Sequence, residues 1–225
     1  MALRSRLLLP LCSNAASTTN SLPCSCGQFN NILEQNQDHL LLCQHNRALA
    51  THRHTLMRNA LAAYCGGYCK GGGTVTTEPL LGNLHRADVL MRQANGITRI
   101  LEVGITSCFA TNLNVQNWEP GFAAGMMEIE KRTDFARKLL AEGANVTDIA
   151  RNAADNNEFV PFVLESTGRL GVEARRFLDS LTKIRGSQFT KKDFLNEISA
   201  LMAQASARMR LNGLLRAERL IGSVV

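Results

Sequence analysis

The segment HRADVLMRQANGITRILEVGIT, residues 85–106, contains two short apolar runs separated by an Asn-Gly turn signal. Asn-Gly between alternating hydrophobic residues strongly favours a β-hairpin. Each run also carries one carboxylate, Asp88 in the first and Glu102 in the second. An unpaired charge inside an apolar strand is costly. The sequence therefore predicts a hairpin whose two acidic residues have a common function.

The length of the hairpin loop decides whether the two acids lie on one face. A two-residue loop would set Asp88 opposite Val103 and place the acids on opposite faces. A three-residue loop over 94–96, with Gly96 in the left-handed conformation, shifts the register by one and sets Asp88 opposite Glu102. The other face then carries apolar residues for the core, namely Ala87, Val89, Leu101, Val103 and Ile105.

Two carboxylates at this distance raise each other's pKa unless a cation lies between them. Divalent metal ions are hard cations that prefer carboxylate oxygens. The pattern therefore predicts that Asp88 and Glu102 are ligands of a divalent metal. The alternative is that Asp88 only pairs with Arg86 or Arg99.

The composition suits a chain with a core and a polyanionic partner. The 225 residues, 45% of them hydrophobic, allow one domain with extensions or two small domains. A net charge of +6 and a pI near 9.1 favour a nucleic-acid partner. We expect no membrane partner, because no apolar run has the length of a membrane span.

The first residues, MALRSRLLLPLCSNAAS, mimic a signal peptide. Their apolar stretch, Leu7 to Cys12, is short for a signal peptide and is interrupted by Pro10. The seven cysteines are too unevenly placed for a disulfide framework. We therefore expect an intracellular protein of the nucleus or cytoplasm, not a secreted one.

Four cysteine and histidine residues have the spacing of a zinc site. Cys24-x-Cys26 is followed, after twelve residues, by His39-x3-Cys43. Three thiolates and one imidazole form a plausible tetrahedral set for a structural Zn²⁺. His45 is an alternative to His39, and scattered buried cysteines are the alternative to a metal site.

The order of predicted elements is helix, strand, hairpin, helix, strand and two final helices. This order indicates a mixed α/β layer with an N-terminal metal-bound segment. We divide the chain into a leader (1–23), a zinc-binding Cys/His segment (24–46), an α/β domain (47–181) and a C-terminal basic helical extension (182–225).

Several short motifs then occur in a distinctive order. The Cys/His cluster precedes THRHTLMRNAL, TTEP, HRADVLM, ILEVGIT, a basic helix and FVPFVLESTGRLGVEARRFL. Over about 7–181 this order resembles the C-terminal restriction-like endonuclease region of site-specific non-LTR retrotransposons and of related reverse-transcriptase-bearing elements. The resemblance implies a detached tail or a truncated or domesticated copy of such an element. It also implies a PD-(D/E)xK nuclease fold, a small sheet flanked by helices with the metal at its open edge.

Within that resemblance, Asp88 matches the aspartate of the motif and Glu102 matches its second acid. Gly104 occupies the place of the motif lysine. The family often carries this lysine on the following helix instead, which makes Lys131 the matching residue. Three further positions depart from the family pattern, with Ala87 for proline, Phe135 for tyrosine and Thr55 for the asparagine of an Arg-His-Asn element that begins at Arg53.

The resemblance implies cleavage of DNA, with RNA as an alternative, by a catalytic Mg²⁺ or Mn²⁺ held by Asp88 and Glu102. Such a metal lowers the pKa of its bound water and polarises the phosphoryl oxygen. We expect Lys131 to stabilise the developing negative charge or to orient the water. His54 is assigned to phosphate contact or site organisation, and Glu78 is a further candidate ligand of the metal.

Two other classes of function remain open at this stage. One is a catalytically decayed nucleic-acid-binding zinc module, which the four departures from the family pattern favour. The other is a non-catalytic interaction protein whose basic charge is incidental. Metal-dependent cleavage distinguishes the nuclease from both of these classes. Salt-dependent DNA binding distinguishes the decayed zinc module from the interaction protein.

Overall fold

The structure is a computed structural model that describes residues 24–27, 37–41, 43–69, 71–81, 85–107, 121–141, 157–182 and 190–222. The predicted leader over 1–23 lies outside these residues. No helix of the described ranges has both the length and the apolar character that crossing a bilayer requires.

Within the described residues, four helices and six strands follow two short 3-10 helices, Gln37–Leu41 and Gln44–Asn46. The helices are α1 (Arg47–Gly67), α2 (Phe122–Ala141), α3 (Val172–Thr182) and α4 (Lys191–Gly222). The strands are β1 (Thr74–Thr77), β2 (Leu80–Leu81), β3 (His85–Arg86), β4 (Val89–Arg92), β5 (Thr98–Thr106) and β6 (Asn157–Glu165). The predicted mixed α/β class is confirmed.

A four-stranded mixed sheet has the order β1-β4-β5-β6, and β2 pairs with β3 in a separate ribbon. Strands β1, β4 and β5 are successively antiparallel, whereas β6 runs parallel to β5. A parallel neighbour requires a crossover, and α2 lies within the connection between β5 and β6. The sheet therefore has α2 on one face and the main hydrophobic core, shared with α1, α3 and α4, on the other.

The hairpin has the predicted three-residue loop. Leu90 is opposite Ile100, and the amide of Gln93 donates to the carbonyl of Ile97 at 2.8 Å. Gly96 has a φ of +85°, the left-handed conformation that suits glycine in such a loop. Continued by one residue, this register sets Asp88 opposite Glu102. Of the predicted core face, Ala87, Val89, Leu101 and Val103 are buried and Ile105 is partly buried.

Helix α4 belongs to the main core, although the sequence predicted a basic extension after residue 181. Phe194, Ile198 and Met202 recur every four residues, which places them on one side of the helix, and all three are buried. The ring of Phe194 stacks on Tyr64 of α1 with centroids 4.3 Å apart. Helix α4 is therefore part of the core, and its basic residues lie on a helix that this packing holds in place.

Candidate functional site

The four predicted zinc ligands lie together near the N-terminal end of α1. The Cys24 sulfur lies 3.6 Å from that of Cys43 and 3.2 Å from that of Cys26. The His39 Nε2 lies 3.2 Å from the Cys24 sulfur and 3.1 Å from the Cys26 sulfur. Tetrahedral zinc with bonds of about 2.3 Å would hold its sulfurs about 3.8 Å apart. The arrangement is thus compatible with a structural zinc site.

Local turns bring these ligands into position. The amide of Gly27 donates to the carbonyl of Cys24 at 2.9 Å, and Gly27 adopts a φ of +76°. Cys43 begins a similar turn, because its carbonyl accepts from the amide of Asn46. His45 is exposed and its Nδ1 lies 3.2 Å from the Ser25 hydroxyl, outside the cluster. The structure therefore selects His39 over His45.

In the absence of a metal, burial sets the protonation states of Cys24 and His39. Burial raises the pKa of the Cys24 thiol to about 12, and it lowers the pKa of His39. The imidazole is therefore ready as a neutral ligand, while the thiol must lose its proton to bind zinc. Zinc binding would release protons, and its apparent affinity would rise with pH.

The Cys/His cluster contacts the C-terminal half of α4. The Asn46 side-chain amide donates to the carbonyls of Leu40 and Met209, at 2.7 and 2.9 Å. A Cβ added to Gly213 would lie 2.5 Å from a methyl carbon of Leu40. The glycine thus permits close contact between helix and cluster. Folding of the Cys/His segment and docking of α4 are coupled by these contacts.

The second candidate site lies at Asp88, beside the hairpin. The amide of Val103 donates to Asp88 Oδ2 at 2.7 Å, and His54 Nε2 lies 3.2 Å from the same oxygen. The same His54 nitrogen lies 3.2 Å from the Val103 carbonyl oxygen. Both neighbours are acceptors, so Nε2 carries the proton. His54 therefore fixes the Asp88 carboxylate from α1.

The two groups shift each other's pKa in opposite directions. The hydrogen bond to Asp88 is the main cause that raises the pKa of His54, against an opposing effect of burial. Burial alone would raise the pKa of Asp88. The hydrogen bond and charge of His54, together with the Val103 amide, outweigh burial and lower that pKa below its ordinary value. Asp88 is therefore ionised at neutral pH, as a metal ligand must be.

Glu102 lies on the sheet face that α2 covers, and Lys131 of α2 reaches it. The Lys131 Nζ lies 3.7 Å from Glu102 Oε2, with both side chains largely buried. A Cβ built on Gly104 would lie 2.7 Å from Lys131 Cε. The lysine side chain thus runs through the space that a side chain at position 104 would need. The structure brings Asp88, Glu102, Lys131 and His54 to one end of the hairpin.

Glu78 makes different contacts. It forms an ion pair with Arg58, and its Oε2 lies 3.8 Å from Arg86 Nη1. Among the described residues, one group of at least three His, Cys or carboxylate side chains has its ligand atoms within 4.8 Å of one another, and that group is the Cys/His cluster. Glu78 therefore does not complete a three-carboxylate site with Asp88 and Glu102 in this structure.

Arg53 is a buried charge that was not among our candidate site residues. Its side chain is 4% exposed, and its Nε and Nη1 have no hydrogen-bond partner in the structure described above. Burial lowers its pKa. The sequence did hold a signal for the burial of Arg53. The residue lies four positions before Met57, on the side of α1 that is buried. A guanidinium in this state is costly.

Replacing Arg53 with methionine is expected to raise the free energy of unfolding by about 1–3 kcal/mol, because methionine fills much of the same volume without a buried charge. Urea denaturation of the zinc-loaded protein measures this effect. Arg58→Met is the matched control on the same helix. Arg58 pairs with Glu78, so its loss should give no gain in stability. A destabilised Arg53→Met variant would contradict the interpretation.

A scan against protein-family models finds none that fits the sequence, and a search of curated proteins returns no significant match.

Proposed function

We propose that this protein is a metal-dependent DNA endonuclease derived from a retrotransposon. The observation that carries the proposal is the juxtaposition of Asp88 and Glu102 at opposed hairpin positions, with Lys131 beside the second acid. Metal-dependent phosphodiester cleavage uses carboxylates that hold the ion and a cation that stabilises the developing charge. In this proposal Asp88 and Glu102 would hold the ion, and Lys131 would supply the cation.

The carboxylates suit a catalytic Mg²⁺ or Mn²⁺. Both side chains are about 85% buried, which limits competition from solvent, and both offer hard oxygen donors. Asp88 and Glu102 would hold the ion, which would lower the pKa of a bound water and polarise a phosphoryl oxygen. His54 keeps the Asp88 carboxylate in one orientation through its Nε2 proton.

Lys131 would act as an electrostatic partner of the phosphate. Its ammonium group lies on the same side of the sheet as Glu102, and a charge in a partly buried site interacts strongly with a developing oxyanion. Its passage over Gly104 supports the proposal that it replaces a lysine absent from the strand. A PD-(D/E)xK arrangement would account for the hairpin, the crossover helix and the parallel strand β6.

A catalytically decayed nucleic-acid-binding module is the second candidate. The observation that favours it is at Phe135, where the family pattern has tyrosine. Its ring stacks on Phe159 with centroids 4.2 Å apart. Phenylalanine has no hydroxyl to supply to a reaction, and here the ring contributes to packing. This candidate retains the structural zinc and the basic helices without cleavage.

Nicking of supercoiled plasmid with Mg²⁺ or Mn²⁺ tests the proposal. We expect the zinc-loaded protein to convert supercoiled DNA to nicked or linear forms. Asp88→Asn should reduce the rate by at least about a hundredfold, because it removes a charged ligand. Asp134→Asn is the matched control, since Asp134 lies on α2 and pairs with Arg137.

Two results would argue against the nuclease. Cleavage that survives in Asp88→Asn would place the activity elsewhere or in a contaminant. A folded wild-type protein that binds DNA but never cleaves it, with either metal, would favour the decayed module.

A further inference from the structure

Two long parts of the chain contain no acidic residue. No Asp or Glu occurs between Asp38 and Glu78, and none occurs between Glu197 and Glu218. The chain has 19 acidic residues in all, so the gaps are a marked segregation of charge. Any side chain that these parts expose is neutral or basic.

The fold places the two acid-free parts side by side. Helices α1 and α4 are antiparallel, because Tyr64 stacks on Phe194 at one end and Asn46 bonds to the Met209 carbonyl at the other. The N-terminal half of α1 therefore lies along the C-terminal half of α4. The zinc cluster adjoins both, through Leu40 against Gly213.

The C-terminal half of α4 exposes one continuous stripe, which we call the arginine–leucine stripe. It consists of residues spaced i, i+3, i+7 and i+11, which share a helix face: Arg208, Leu211 and Leu215 within the acid-free part, and Arg219 directly after Glu218. All four are exposed, including the two leucines at 47% and 45%. Neither arginine forms an ion pair with an acid whose side chain the structure describes, unlike Arg58, Arg99 or Arg132.

We propose that the arginine–leucine stripe binds the phosphate backbone of nucleic acid. This assignment rests on the proposed function, since it supplies a docking surface for the DNA that the hairpin site would cut. Arginine guanidinium groups match phosphate oxygens in geometry and charge. Exposed leucines between them are suited to sugar and groove contacts. A membrane-surface helix needs a wider apolar face than two leucines.

A rigid support strengthens the assignment. The opposite side of α4 is buried through Met209 and Ala217, with Leu214 partly buried against the zinc cluster. A helix fixed on its inner side presents its outer arginines without an ordering cost at binding. The zinc cluster would therefore act on DNA affinity by holding the stripe in place.

Binding to a fluorescent DNA duplex, measured without Mg²⁺ or Mn²⁺ over a range of salt concentrations, tests this surface. The full zinc-loaded chain is compared with Arg208→Glu/Arg219→Glu. The matched control is Arg92→Glu/Lys192→Glu, which reverses two exposed cations elsewhere and changes the net charge equally. We expect the stripe variant to bind at least about tenfold more weakly, with a log–log salt slope smaller by about two. The control should stay within about threefold of wild type.

Equal losses in both variants would overturn the proposal, because affinity would then follow net charge alone. Unchanged DNA affinity in both variants would also overturn the proposal. The nuclease proposal would remain intact in that case if Asp88-dependent nicking is observed. Binding of anionic lipid vesicles through Arg208 and Arg219, with no DNA binding, would overturn it in favour of a membrane surface. Unchanged thermal melting of both variants shows that the comparison reports binding.

Discussion

Replacing Lys131 with alanine is expected to slow metal-dependent plasmid nicking by about 10²- to 10³-fold, the loss typical of a preorganised group that stabilises developing charge. The Lys131 ammonium lies 3.7 Å from Glu102 Oε2 in a partly buried site. Little solvent is available there to replace the lost cation. Lys138→Ala, a lysine in the last turn of the same helix, is the matched control and should nick normally.

A second substitution distinguishes a chemical role from a structural one. In the Lys131→Ala background, Gly104→Lys returns a lysine to β5 through the space that Lys131 occupied, and the flexible Met127 side chain, whose Sδ lies 2.8 Å from the added Cβ, must then shift. We expect this double variant to nick DNA at least tenfold faster than Lys131→Ala. In the wild-type background the same Gly104→Lys change should lower the nicking rate, because its Cβ would lie 2.7 Å from Lys131 Cε and would displace Lys131 from Glu102. Normal nicking by Lys131→Ala would remove Lys131 from the mechanism.

Removal of zinc is expected to have the largest effect on stability. Structural zinc sites bind with about 10–16 kcal/mol, and much of that free energy appears as folding free energy. Chelation, or Cys24→Ser, should therefore unfold the Cys/His segment and release the docked half of α4. The contacts of Asn46 and Leu40 with that helix would be lost together.

Hydrogen exchange across 198–217, with and without zinc, measures this coupling. We expect protection in this range to fall by at least about tenfold without zinc, while protection of β5 and β6 changes less. Atomic emission should find one zinc per chain. Cys69→Ser is the control, since this buried thiol lies outside the cluster. If the protein contained no zinc and chelators left its melting temperature unchanged, the zinc site would be contradicted.

Local patterns predicted much of the fold and of both candidate sites. The Asn-Gly signal and the alternating pattern were sufficient for the hairpin register, because turn geometry and side-chain alternation act over a few residues. The spacing of Cys24, Cys26, His39 and Cys43 was sufficient for the cluster. Sequence alone left His39 and His45 as alternatives, since only the 3-10 helix at Gln37–Leu41 directs His39 inward.

Contacts between residues that are far apart in the sequence could not be predicted from local sequence patterns. The buried Glu128 Oε1 accepts from the amide of Glu173 at 2.9 Å and so caps the start of α3. A Cβ on Gly171 would lie 2.0 Å from that oxygen, which explains the glycine. The pairing joins residues 45 positions apart, and no periodicity indicates it. The packing of α4 along α1 was hidden for the same reason.

We propose that Asp88 and Glu102 together hold one divalent ion. Electron paramagnetic resonance of Mn²⁺ titrated into the zinc-loaded protein without DNA measures this binding. We predict one bound Mn²⁺ per chain for wild type and for Asp134→Asn, and at least tenfold weaker binding for Asp88→Asn and Glu102→Gln. Equal Mn²⁺ binding by all four proteins, or none by wild type, would show that the two carboxylates do not hold a shared ion.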